Sequence, residues 1–152
     1  MYMSTRRLRK SSNDDGAVLV EFALVVSLFF LLVFGMIDFG LAINAKTQMT
    51  NAGREGARLA TVDVNADVEA RVRDVASNLD QAKLSVTVVC QEPDDSPCDG
   101  PGFPPGDLNH ASTGDSVIVT VDYIYDPITP LSNFIGGGGG ITLRSVTEMR
   151  VE

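Results

Sequence analysis

An almost uninterrupted apolar stretch near the N-terminus limits what this chain can become. Residues 17–43 read AVLVEFALVVSLFFLLVFGMIDFGLAI, and the sixteen residues from Phe22 to Ile37 carry no charge. Five of the seven Phe fall between Phe22 and Phe39, so the chain is not uniform in composition. A bilayer crossing needs about 20 predominantly apolar residues, and residues 17–41 are long enough. The alternative is a helix buried in a protein core, but the rest of the chain is too small to cover such a helix on all sides. Glu21 and Asp38 interrupt the two ends of the run, and Asp38 reads as its outer boundary.

The flanking charges set an orientation. Arg6, Arg7, Arg9 and Lys10 lie just before the run, whereas Lys46, Arg54 and Arg58 follow it more widely spread. This bias predicts a cytoplasmic N-terminus and an external C-terminal part. A cleaved secretory signal is the competing reading. Its basic leader fits, but the apolar stretch exceeds the usual span of about 7–15 residues. The small-residue cut available to it, after Ala45, lies beyond Asp38 and is poor.

The remaining residues read as a small α+β unit. In 44–61, Ala45, Met49, Ala52, Gly56 and Ala60 fall near one helical face, so residues 17–61 are expected to form one nearly continuous helix. Small residues at this spacing mark close backbone approach, and packing of Gly53 and Gly56 within the chain is favoured over contact between subunits. Glu55 and Arg58 are placed to pair at i, i+3. A break at 62–65 precedes an amphipathic helix over 66–79, with Asn65 as its expected N-cap. Residues 83–90 alternate as a strand, with Leu84, Val86, Val88 and Cys90 on one side. Residues 91–115 form a long Pro-, Gly- and Asp-rich loop. Strands follow at 116–125 and 141–151, with Pro127 and Pro130 stopping the first and Gly136–Gly140 a flexible connection. The strands are expected to pair antiparallel in a sheet of roughly three strands.

Charge and composition narrow the function classes. Twenty acidic residues against 12 basic ones give a net charge of −8, which argues against nucleic-acid binding. One His and two Cys exclude the denser zinc patterns. Cys90 and Cys98 have seven residues between them, and outside the cytoplasm an even count favours a disulfide over two free thiols. Glu92, Asp94, Asp95, Asp99, Asp107 and Asp115 make the 91–115 loop acidic, but their spacing matches no EF-hand, and a solvated loop is favoured over a Ca²⁺ site. Ser112 and Ser116 lack a nucleophile-elbow context, and no Lys-Ser/Thr follows the glycine run, so no catalytic constellation and no cofactor is expected.

The sharpest local feature is Asp15-Gly16-Ala17-Val18-Leu19-Val20-Glu21-Phe22. A carboxylate within a membrane span costs about 2.5–3.5 kcal/mol at mid-depth and less near the edge, so Glu21 calls for a partner. Cleavage after Gly16 would leave Ala17 as a free amine. That amine is poorly placed for its own Glu21 in a straight helix but suits the Glu21 of a staggered neighbour. The segment resembles class III signal peptides, the pilin-like leaders cut by prepilin peptidases. Together with Asn51-Ala52-Gly53-Arg54-Glu55-Gly56-Ala57-Arg58, it resembles the TadE family of tight-adherence (Flp) pilus pseudopilins, although Gly53 stands where that family usually has Ala. Asp38-Phe39-Gly40 and Glu148-Met149-Arg150-Val151-Glu152 are also similar. The resemblance covers 16–61, and 83–152 match only in pattern.

The resemblance implies a cleaved leader at 1–16, a membrane and projecting helix at 17–61 and an extracytoplasmic α+β domain at 62–152. It implies a minor pilin or assembly factor in a bacterial cytoplasmic membrane, with a prepilin peptidase, other pilins or pseudopilins and pilus platform proteins as partners. Bulk Flp pilins are far shorter, and the TadG-like branch carries larger domains. The alternative function is a single-pass anchored binding module that recognises its ligand through the acidic loop.

Overall fold

The computed structural model describes residues 14–100, 106–129 and 140–152. The basic leader at 1–13, Pro130 and most of the glycine run, 136–139, lie outside the described residues.

One helix, α1, runs without interruption over Asp14–Val62, 49 residues. The stretch has no proline, and its Leu, Ala and Met content favours helix. At 1.5 Å per residue it is about 74 Å long. It is long and apolar enough to cross a membrane, and the apolar window of this helix has none of its residues buried within the protein. The chain then turns through Asp63, whose carboxylate accepts from the Asn65 amide at 3.0 Å.

The second helix, α2, spans Val68–Val75 and is shorter than the 66–79 expected. Its N-cap is Asp67, not Asn65: the Asp67 carboxylate accepts from the Ala70 amide at 2.9 Å. A capping carboxylate three residues ahead of a free amide outcompetes a residue two positions earlier. At the other end the Gln81 side chain donates to the carbonyls of Ala76 and Leu79, closing a turn rather than extending the helix. A 3₁₀ turn over Gln81–Lys83 leads into the first strand.

Three strands form one antiparallel sheet in the order β1-β2-β3: β1 at Leu84–Gln91, β2 at Ser116–Tyr125 and β3 at Ile141–Arg150. Register is set by pairs such as Val88 with Val119 and Thr120 with Val146. In β3 the inward set is not the one its hydrophobicity implies. Ser145 is buried and Val146 exposed, because the pairing with β2 places Ser145 beside Val121 on the inner face. The Ser145 hydroxyl lies 3.1 Å from that of Thr50 on α1, which satisfies both.

The core lies between the outer half of α1, α2 and the inner sheet face. Ala45, Met49, Ala52, Gly56 and Ala60 contribute the helix side, and Val117, Val119 and Val121 the sheet side. Two glycines let the layers meet. A Cβ at Gly56 would stand 2.5 Å from Val72 Cγ2, and one at Gly53 3.1 Å from Thr147 Oγ1.

The loop after β1 is tied down. Cys90 and Cys98 form a disulfide, and closing so short a loop contributes about 2–3 kcal/mol by chain entropy. The Cys90 amide donates to the Gly106 carbonyl at 2.8 Å, and the Gly106 amide to that of Cys98 at 2.8 Å. A further 3₁₀ turn occupies Leu108–His110 inside the segment expected to be irregular.

Gly56→Ala introduces a clash costing about 1–3 kcal/mol against a helix-propensity gain of about 1 kcal/mol. We expect it to lower the unfolding temperature of the full chain in detergent, and Gly53→Ala to be close to neutral. Equal stability of both variants and the parent would mean that the layers can separate without loss. Intact mass without reductant should fall by two hydrogens from the reduced value.

Candidate functional site

The helix α1 carries every residue singled out for processing and assembly, and it divides them by surroundings. From Gly16 to Ile37 most of its side chains are exposed. Phe22, Leu24, Phe29 and Met36 are among the most exposed large apolar residues of the protein. Gly16, Gly35 and Gly40 have nothing within 4 Å of a would-be Cβ, so they serve no packing inside this chain. Gly16 and Ala17 lie in the first turns of α1, and Glu21 is exposed amid aliphatic neighbours. The Glu21 side chain makes no ion pair or hydrogen bond among the described residues.

The segment Asn51–Arg58 splits between two uses. Ala52, Gly53, Gly56 and Ala57 are buried against α2 and the sheet, whereas Asn51, Arg54 and Arg58 are exposed. Glu55 links the two. It accepts from Arg58 Nη2 and Arg71 Nη2, each at 2.9 Å, so α1 is bridged to α2. Arg71 in turn reaches Asp74 at 3.2 Å. The hydrogen bonds from Arg58 and Arg71 hold the Glu55 carboxyl far below its ordinary value of 4.5, at about 2. The Glu55–Arg58 pairing was legible from sequence spacing, whereas Arg71, sixteen residues from Glu55, was not.

Asp38 does more than mark a boundary. Its carboxylate accepts from the Ile128 amide at 3.1 Å and from the Thr129 hydroxyl. Its carbonyl accepts from the Tyr125 hydroxyl at 3.2 Å. The end of β2 and the segment after it are thereby fastened to α1. A carboxylate at the edge of an apolar run, with amides and hydroxyls arriving some 90 residues later, gives no local sequence signal. Higher on α1, the Lys46 ammonium donates to the Arg144 carbonyl and covers part of the β3 edge.

At the far end of the sheet, Asp115 is buried beside the disulfide. Its Oδ2 accepts from the Ser112 amide at 2.7 Å and lies 3.8 Å from Cys98 Sγ. Cys90, Cys98 and Asp115 group three potential metal-ligand atoms, but the two sulfurs are bonded to each other. The acidic residues Asp94, Asp95 and Asp99 are exposed nearby. Asp94 accepts from the Ser96 hydroxyl and amide at 2.6 and 3.1 Å, which holds its carboxyl below the usual carboxylate range.

The Glu55 bridge has a defined pH signature. Because its folded value is depressed, its contribution is whole above the unfolded value near 4.5 and is lost as pH falls towards about 2. Glu55→Gln should therefore lower the unfolding temperature of the full chain in detergent at pH 7. The gap between parent and variant should narrow below pH 5 and close near the folded value. An unchanged unfolding temperature at pH 7 would show that the bridge is fully offset by solvent.

No curated protein and no solved structure matches the chain. A family model does, over the stretch of α1 that joins the exposed apolar half to the glycine-bearing packing face. Residues 16–58 match the TadE-like protein family, a pilus-related family associated with Tad pilus assembly and not an enzyme family.

Proposed function

We propose that this chain is a minor pilin or pseudopilin that acts in the assembly of a Flp-type adhesion pilus. In this reading a prepilin peptidase removes 1–16 by cutting after Gly16 on the cytoplasmic face. The apolar half of α1 spans the bacterial cytoplasmic membrane once. The outer half of α1 and residues 62–152 stand outside, where they meet other pilins and the assembly platform. The outer unit suits an accessory role, such as starting the fibre or decorating its tip.

The observation that carries the proposal is Glu21. It stands exposed on an otherwise apolar helix surface, without an ion-pair partner among the described residues, five positions after the Gly at the cut. Leaving such a carboxylate unpaired in lipid is expensive. The new Ala17 amine of an axially staggered neighbour would neutralise it, and the pairing would set the stagger. The exposed Asn51 and Arg54 are left over for contacts outside the chain.

Two measurements test this. Terminal sequencing and intact mass, from cells containing a prepilin peptidase, should place the mature N-terminus at Ala17. Glu21→Ala should insert normally yet impair assembly with pilin partners, and normal piliation with that variant would remove the role given to Glu21. Retention of Met1 would favour the anchored binding module, whose recognition surface would be the acidic loop at 91–115. A start near Lys46 would indicate a secreted protein.

A further inference from the structure

The end of the sheet nearest the apolar half of α1 is unusual in what it exposes. Ile128 is 72% exposed, Ile141 54% and Ile124 47%. They are close in the fold. Tyr125 pairs with Ile141 across β2 and β3, and Ile124 pairs with Thr142. Ile128 is three residues past the end of β2 and is bonded through its amide to Asp38. The three side chains therefore surround one end of the sheet, and the Asp38 bonds hold that end against α1.

The position of Asp38 on α1 determines what these isoleucines meet. Counting back twenty residues from Ile37 reaches Val18, about 30 Å of helix, which is the thickness of a bilayer hydrocarbon core. Asp38 then lies at the hydrocarbon edge. Beyond it the helix surface stays apolar and uncovered at Phe39, Leu41 and Ile43, and turns polar at Asn44. The six residues from Phe39 to Asn44 add about 9 Å, comparable to the polar headgroup layer. A segment bonded to Asp38 lies inside that layer.

We infer that the sheet end formed by Ile124, Ile128 and Ile141 is a membrane-docking surface that inserts into the headgroup region beside the span. The inference rests on the membrane-span reading of α1. Lipid is the occupant because this surface is continuous with the lipid-facing side of the helix. Its charges do not point to attraction by anionic headgroups. The ionic groups at this end include Asp38, Asp80, Lys83, Asp126 and the Asp122–Arg144 pair, with Lys83 Nζ 2.6 Å from Asp126 and Arg144 Nε 2.7 Å from Asp122. Apolar insertion rather than charge would hold it, so the contact should be insensitive to salt.

The chain contains no Trp, so each introduced Trp is a single reporter. Full-length protein is reconstituted into phosphatidylcholine vesicles containing lipids brominated at shallow or deep acyl positions. Phe29→Trp reports mid-span. Val62→Trp, 24 residues beyond Asp38 and about 36 Å along α1, reports the far end. Ile128→Trp and Ile141→Trp report the proposed surface. The expected result is blue-shifted emission at 128 and 141, quenched more by shallow than by deep bromines and unchanged by added salt. Phe29→Trp should be quenched more by deep bromines, and Val62→Trp by neither. Water-like, unquenched emission at 128 and 141 with Phe29→Trp still quenched would overturn the docking surface and leave the span intact. Blue-shifted emission without lipid quenching would assign the patch to a second copy and also overturn it. Loss of quenching at Phe29→Trp would instead remove the span itself.

Discussion

The contact between the small-residue face of α1 and the inner face of the sheet is what the outer unit depends on. A three-stranded sheet is only marginally stable unless one face is covered. Here the cover is a helix with little side-chain bulk on that face, so its backbone comes close to Val119 and Val121. Burying each such valine is worth about 1.5–3 kcal/mol. Gly56 is the tightest point, where α1, α2 and β2 meet at Val68, Val72 and Val119. Removing Cβ there costs helix propensity but allows α2 to lie against α1, with the Glu55–Arg71 bridge closing over the seam.

One helix thus serves two environments without a break. Its residues up to Ile43 present large apolar side chains outward, and from Ala45 onward it buries small ones inward. The changeover falls over residues 41–45, where Ala42 already packs against the core. Asp38 lies below it, so the sheet is fastened to the apolar half and not only to the packing half. The Tyr125 hydroxyl and the Ile128 and Thr129 donors all converge on this one residue.

The apolar run, the single long helix and the three strands were legible because each is a local periodic pattern. So were the alternation of Leu84, Val86, Val88 and Cys90 and the small-residue face of α1. The start of α2 was misplaced because Asn65 and Asp67 are both good caps, and only the backbone path decides which carboxylate or amide oxygen reaches Ala70. In β3, Ser145 is buried and Val146 exposed because register with β2 and a hydroxyl partner on Thr50 outweigh hydrophobicity. The Asp38 anchor and the Arg71 arm of the Glu55 bridge join residues far apart in sequence, and no spacing rule reaches them. Among the described residues, the loop after Cys90 is held by the disulfide and the Gly106 hydrogen bonds, the latter with no signal in its composition.

The continuity of α1 has a mechanical consequence. With no proline and no break between Asp14 and Val62, the rod has no proline hinge at which to absorb changes beneath it. Single spans lean by about 20° on average, and a rigid arm of about 36 Å above Asp38 turns that lean into a sideways travel of about 12 Å at its tip. In the membrane-span reading, the packing and interfacial anchors that set the lean would therefore also set where Arg54, Arg58 and the acidic turn stand above the surface. On that reading the fold is a lever whose short arm is in lipid.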